Sequence, residues 1–252
     1  MRALITGASS GIGREMAIQL SKMGYDLILA ARNQSALVDL KQQLTTDVIL
    51  FPADLSQEEA CYKLHEMAQN TPVDILINNA GFGLYGAFKD TDLATELNLI
   101  DVNIRALHIL TKLFLKDFVA ADNGVIMNVS SIAAFLPGPM MSVYYASKAY
   151  VQRLTEAIHE ELRLEKSCVR ICALCPGPVR TGFNRRAGAG SADSGLDSQA
   201  VAAYALKKMF RGKLIIIPGW YMRVLHKAIH LTGTRLRLRA IAMVQKIRRG
   251  GL

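Results

Sequence analysis

The sequence predicts an α/β fold in which a doubly wound parallel sheet carries helices on both faces. Three observations predict it. Short apolar runs alternate with stretches of helical spacing from residue 2 to residue 219, the pattern of repeated βαβ units. Runs such as DLILAA (26–31) are apolar at every position rather than every second one, which suits strands buried on both faces. The chain of 252 residues is 51% hydrophobic and 20% charged, enough apolar surface for one large domain.

Each element has its own reason. RALIT (2–6) is the first strand, and SSGIG breaks it. Met16, Ala17, Leu20 and Met23 recur at helical spacing over 14–23, and Gly24 ends that helix. DLILAA is the second strand. A helix near 35–44 follows, then VILFPAD (48–54) as the third strand. A helix runs from about 57 to 69 with Ser56 as its expected N-cap. VDILINNAG (73–81) is the fourth strand, closing in a turn, and a long helical pattern occupies about 93–120. GVIMNVSS (124–131), VRICALCPG (169–177) and KLIIIPG (213–219) are strands five to seven, with a helix at 144–163 between the first two. Right-handed crossovers place these helices on both faces of the sheet. Residues 182–198 are rich in Gly, Ser and Ala and too long for an ordinary connection. A lid is favoured by their place after the sixth strand; a plain insertion is the alternative.

Composition excludes disordered, collagen-like and coiled-coil chains. Four cysteines (Cys61, Cys168, Cys172, Cys175) are too few for a disulfide scaffold and lack a second CxxC for zinc. Cys172 and Cys175 fit packed thiols in or beside a strand. No histidine has a carboxylate or cysteine at ligand spacing, so no metal is expected. No apolar run reaches the length of about eighteen residues that a membrane span needs. A glycine turn at Gly7 stands where a signal sequence would carry its apolar core. The expectation is a globular chain of the cytoplasm.

Ligands of an open parallel sheet sit outside the carboxyl ends of its strands, and those ends carry the chemistry. Gly7, Gly11 and Gly13 lie between a strand and a helix, where backbone N–H groups can approach a pyrophosphate. Their GxxxGxG spacing differs from GxGxxG and would also suit a structural turn. Sites for NAD place an acid about twenty residues further on; here Ala30-Ala31-Arg32-Asn33 has none. Arg32 can pair with a 2′-phosphate, with hydroxyl contacts from Ser9 and Ser10, so NADP(H) is preferred over NAD(H). Tyr144 and Lys148 are spaced i and i+4 and share a helix face. A free tyrosine, with a pKa of about 10, is too weak an acid to work near neutrality. A lysine one turn away and an oxidised nicotinamide would lower that value. Tyr145 also precedes Lys148, and such helical pairs are common.

Taken in order, TGASSGIG (6–13), NNAG (78–81), Asn103, VSS (129–131), YYASK (144–148) and PGPVRT (176–181) resemble the short-chain dehydrogenase/reductase family over about residues 1–220. The resemblance implies one Rossmann-like domain with seven parallel strands. It selects Ser131 over Ser130 and Tyr144 over Tyr145, and adds Asn103 and Lys148 as catalytic residues. It implies cofactor contacts from the loop residues including Ile12, and from Asp54, which would hold the adenine. Asn79, Ala80 and Gly81, then Pro176, Gly177, Val179 and Thr181, together with Tyr144 and Lys148, complete that set, with Thr181 touching the carboxamide. The implied activity is reduction of an apolar carbonyl, a 3-ketoacyl, other lipid ketone or steroid, to a secondary alcohol. Ser131 would stabilise the alkoxide, Tyr144 would act as general acid, and Asn103 would position a water that resupplies the proton. A homodimer or homotetramer is implied as well. The competing reading is a non-catalytic nucleotide sensor that docks on an anionic partner.

Charge is unevenly placed. Of 30 Lys and Arg, twelve lie beyond Asp197, whereas all 21 Asp and Glu lie at or before it. The +9 of the whole chain is therefore the property of its tail. Residues 221–252 interleave bases with Val224, Leu225, Ile229, Leu231, Leu236, Leu238, Ile241, Val244 and Ile247. That suits a basic amphipathic helical extension on an anionic membrane, and it resembles the tails of family branches assigned to lipid ketone reduction. Packing on the domain or an oligomer contact are alternatives, and nucleic acid is disfavoured. Gly233 weakens a single continuous helix.

Overall fold

The computed structural model describes residues 1–189, 195–230 and 233–248. Seven strands form one sheet: β1 Arg2–Thr6, β2 Asp26–Ala31, β3 Val48–Pro52, β4 Ile75–Asn78, β5 Val125–Val129, β6 Arg170–Leu174 and β7 Ile215–Ile216. Their order is β3-β2-β1-β4-β5-β6-β7 and every pair is parallel, the doubly wound arrangement expected. The winding reverses between β1 and β4, which opens a crevice at their carboxyl ends. Strand after strand feeds two cores. In β2, Leu27 and Leu29 enter one together with Met16 and Leu20, while Ile28 and Ala30 enter the other with Leu64, Phe114 and Ile158. This is why these strands are apolar at every position.

The helices are α1 Gly11–Lys22, α2 Gln34–Lys41, α3 Glu58–Gln69, α4 Leu93–Ile100, α5 Leu107–Ala120, α6 Ser142–Leu164, α7 Phe183–Arg186, α8 Ser198–Phe210, α9 Trp220–His230 and α10 Thr234–Arg248. Three features differ from expectation. Helix α1 begins at Gly11 rather than at 14, so two of the loop glycines lie in its first turn. Ser56 does not cap α3: Gln57 holds that position with no side-chain bond, and the Asp54 carboxylate accepts the Ser56 N–H instead (3.0 Å). The long pattern at 93–120 is interrupted at Asp101–Ala106 by a turn of π geometry, between α4 and α5. In the tail, Gly233 lies outside both α9 and α10, in keeping with its expected weakening of a continuous helix. Strand β7 is also shorter than expected, two residues ahead of Pro218, which has no N–H for a ladder.

Cys172 lies in the core with Met16 and Leu20, and Cys175 lies in a separate cluster with Phe135 and Ile217. Burial pushes both thiols up to about 12, as suits packed rather than reactive groups.

Candidate active site

Thr6 ends β1 and Asn78 ends β4, and the turns that follow them are bolted together. The Thr6 hydroxyl accepts the N–H groups of Asn79 and Ala80, each at 3.0 Å. The Asn79 amide donates to the carbonyls of Thr6 (2.9 Å) and Gly7 (3.1 Å). Thr6 reads in the sequence as an ordinary strand residue; only the pairing of β1 with β4 gives it this part. Gly7 sits at φ +65, and a Cβ there would lie 2.8 Å from the Ala80 Cα. At Gly13 a Cβ would lie 2.4 Å from the Asn79 amide nitrogen, so this glycine lets α1 approach β4. The other half of the NNAG pair, Asn78, is buried and donates to Thr111 and Asn128, both at 3.0 Å.

A cavity of about 590 Å³ opens at this end of the sheet. Of the residues expected at the site, Ser9, Ser10, Gly11, Ile12, Asn79, Gly81, Pro176, Gly177 and Val179 line it, as do Gly7, Ala80, Arg32, Asp54 and Thr181. Ser131, Tyr144 and Lys148 line it too, whereas Gly13 and Asn103 do not. Its glycine-lined wall, with the N-terminus of α1 behind it, fits a pyrophosphate. Thr181 lies over that wall, its methyl 3.1 Å from where a Gly11 Cβ would stand.

At the inner end, Lys148 Nζ donates to the Val129 carbonyl at 2.8 Å and stands 5.9 Å from the Tyr144 ring centroid. The Ser130 hydroxyl is taken up by the Lys148 carbonyl (2.8 Å), which anchors α6 to the end of β5. The Ser131 hydroxyl accepts the Ala133 N–H at 3.1 Å, donates to the Pro176 carbonyl at 3.4 Å and lies near the Tyr144 phenol. Burial pushes that phenol up to about 12, against the pull of the nearby Ser131 hydroxyl, and pushes the Lys148 ammonium down to about 8. The protein by itself therefore keeps the proton on the phenol. A lowering of its pKa has to come from charge brought in on binding.

Asn103 sits in the π turn, fully buried. Its amide protons go to the Phe82 carbonyl (2.9 Å) and the Ser147 hydroxyl (3.1 Å), and its carbonyl accepts the Phe82 N–H (3.0 Å). Ser147 in turn donates to the Tyr144 carbonyl at 2.7 Å. Asn103 thus ties the segment after NNAG to the helix bearing Tyr144, through a residue, Ser147, that sequence reasoning passed over.

The outer rim is charged, and part of the lining is apolar. Arg32 is 65% exposed, 3.9 Å from the Asp54 carboxylate. Arg186 of α7 also lines the cavity; burial, then the cations of Arg185 and Arg32, lower its pKa. Phe82, Met141 and Phe183 add apolar side chains to the lining, with Phe183 against the Tyr144 ring at 5.3 Å. Of the apolar residues between β5 and α6, Met141 lines the cavity, while Phe135 packs on His226. Phe183 and Arg186 lie in the segment expected as a lid, where flanking Gly and Ser hide them. Its two ends pair through Val179 and Leu196, and residues 190–194 lie outside the described part.

Comparison with known proteins agrees with this geometry. The sequence model described as short chain dehydrogenase matches residues 1–192. This chain belongs to that family. An uncharacterized oxidoreductase of Staphylococcus aureus (strain MRSA252) is 34% identical to this short-chain dehydrogenase, covering 71% of this chain and 78% of its own. The very-long-chain 3-oxoacyl-CoA reductase of Kluyveromyces lactis is 35% identical, over 64% of this chain and 50% of its own. Among solved structures, a short-chain dehydrogenase from Sphingobium yanoikuyae in complex with NADPH superposes with TM-score 0.83 and 30% identity, covering 95% of both chains. A family member from Burkholderia phymatum in complex with NAD gives TM-score 0.82 and 25% identity, covering 91% of this chain and 94% of its own. The chain is an oxidoreductase of the short-chain dehydrogenase family with a seven-stranded Rossmann-like sheet.

Proposed function

We propose that this short-chain dehydrogenase reduces the carbonyl of an apolar substrate, 3-ketoacyl thioesters foremost, to a secondary alcohol with NADPH. One observation carries the reading: a single cavity joins a dinucleotide cradle to Ser131, Tyr144 and Lys148, and its lining includes the apolar Phe82, Met141 and Phe183. The bound cofactor supplies the hydride. Tyr144, its proton held by burial, protonates the carbonyl oxygen as general acid, and the Ser131 hydroxyl donates to the same oxygen. Lys148 would hold the nicotinamide ribose, and cationic charge brought in on binding would lower the tyrosine pKa. Asn103 acts as a positioning residue through Phe82 and Ser147. The likeness to the yeast 3-oxoacyl-CoA reductase supports the substrate class. NADPH oxidation by the purified chain, followed with 3-ketoacyl thioesters of increasing length, tests it. Turnover rising with chain length is expected; NADPH binding with no acyl turnover would overturn the substrate.

Preference for NADP(H) rests on Arg32 and on the missing acid at the end of β2, with Arg186 as a second cation facing the cavity. Arg32→Gln is expected to weaken NADPH binding by about 10–100-fold, the worth of a charge-assisted bond. NADH binding stays nearly constant. Equal losses for the two cofactors in a fluorescence titration would sink the preference.

A homodimer or homotetramer through α4, α5 and α6 belongs to the same proposal, supported by exposed Leu93, Leu97 and Tyr150 on these elements. Among the described residues no helix is long and apolar enough to cross a membrane. A cytoplasmic enzyme of one catalytic domain, residues 1–220, with its basic extension at a membrane surface, completes the reading.

A further inference from the structure

Helix α9 has two faces of different kinds. Inward, Met222 fills the space over Gly177, where a Cβ would lie 2.8 Å from its sulfur, and His226 packs on Phe135 with ring centroids 4.1 Å apart. At its flank Arg223 donates to the Tyr204 hydroxyl at 2.8 Å. Gly177 lines the catalytic cavity and Phe135 lies four residues past Ser131, so α9 is braced on the wall of the active site. The outward face holds Trp220, Tyr221, Val224, Leu225 and Ala228, all exposed. At 3.6 residues per turn they form one arc of about 140°. Trp220 is 71% exposed, Val224 59% and Leu225 44%, an uncovered apolar strip rather than isolated side chains.

The charge of this end of the chain selects the strip's occupant. Beyond Asp197 the chain has twelve bases and no acid. In α10, Arg235 and Arg239 are exposed beside the exposed Leu238 and Met243. A second copy meeting the same face would bring like charges together. An anionic lipid surface satisfies both features, since apolar side chains enter the acyl boundary while bases meet the headgroups.

We infer that α9 docks the protein on an anionic bilayer through Trp220, Val224 and Leu225, which holds the substrate mouth beside the lipid. The docking deepens the membrane contact proposed above and rests on it for the choice of surface; delivery of substrate from the bilayer rests on the lipid-ketone reading.

Trp220 is the only tryptophan in the chain, so its fluorescence reports this helix directly. The full-length protein is mixed with phosphatidylcholine vesicles or with vesicles containing phosphatidylglycerol. Trp220 emission is expected to move to shorter wavelength with the anionic vesicles only, and co-sedimentation to weaken as salt is raised. Val224→Glu with Leu225→Glu, both at exposed positions, should lower vesicle binding by about tenfold or more. Their melting temperature and NADPH affinity should match the parent, which separates lost docking from lost folding. Several results would overturn the inference: equal binding to neutral vesicles, an unshifted emission maximum, or loss of an oligomer in the double variant by sedimentation velocity. Binding to duplex DNA that ignores Val224 and Leu225, with no vesicle binding, would overturn it as well. Because vesicle binding needs no turnover, failure of the substrate class leaves this result readable.

Discussion

Tyr144→Phe is expected to lower kcat for carbonyl reduction by roughly 10²–10⁴-fold, the contribution of a positioned general acid. The change removes one oxygen and little else. The ring keeps its packing on Phe183 (5.3 Å), and Lys148 keeps its bond to the Val129 carbonyl (2.8 Å). NADPH affinity should therefore stay close to the parent value, and the loss should fall on kcat and kcat/KM alike. The phenol oxygen is the atom at issue because burial holds its proton. Turnover in the variant within a few fold of the parent would mean that another group delivers the proton. A chain that binds NADPH but has no turnover to lose would favour the nucleotide-sensor reading.

Gly7→Ala is expected to damage both stability and cofactor binding. An L-residue in the left-handed region costs about 1–2 kcal/mol, and Gly7 stands there at φ +65. The added Cβ would also meet the Cα of Ala80 at 2.8 Å and the Asn79 amide nitrogen at 2.9 Å. The Ala80 backbone cannot rotate away as the Asn79 side chain could, and such overpacking costs about 1–3 kcal/mol more. Together roughly 2–5 kcal/mol is lost, a fall in melting temperature of about 4–20 °C for a chain of this size. Because the clash presses on the turn that Thr6 and Asn79 hold, NADPH affinity should fall as well. Gly212→Ala is the control: its φ is +68 with nothing within 4 Å, so it carries the backbone cost alone. Calorimetry and NADPH titration of both variants decide the matter. Equal melting shifts and equal affinities would show that contact with Ala80 contributes nothing.

Much of the site was legible in the sequence because its motifs stand where strands end. Once β1, β2, β4, β5 and β6 were recognised from their apolar runs, the glycine loop, Arg32, NNAG, VSS and PGPVRT had to converge at one edge of a parallel sheet. Helix periodicity put Tyr144 and Lys148 on one face, and the family resemblance chose Tyr144 over Tyr145. Ser56 was misjudged because capping depends on where the turn after Asp54 closes, and that carboxylate took the Ser56 N–H itself. The turn of π geometry around Asn103 was invisible because its apolar pattern reads through without a break.

By itself the sequence determined the element order, the parallel sheet, the edge where chemistry occurs and the basic character of the tail. These follow from periodicity and from residue type, which are local properties. Only the tertiary structure decided that Thr6 joins two strand ends, and that Asn103 clamps Phe82 rather than lining the cavity. It alone placed Arg186 at the cavity and turned the apolar arc of α9 outward. Each of these depends on contacts between residues far apart in the chain, and no local pattern carries the distance between them.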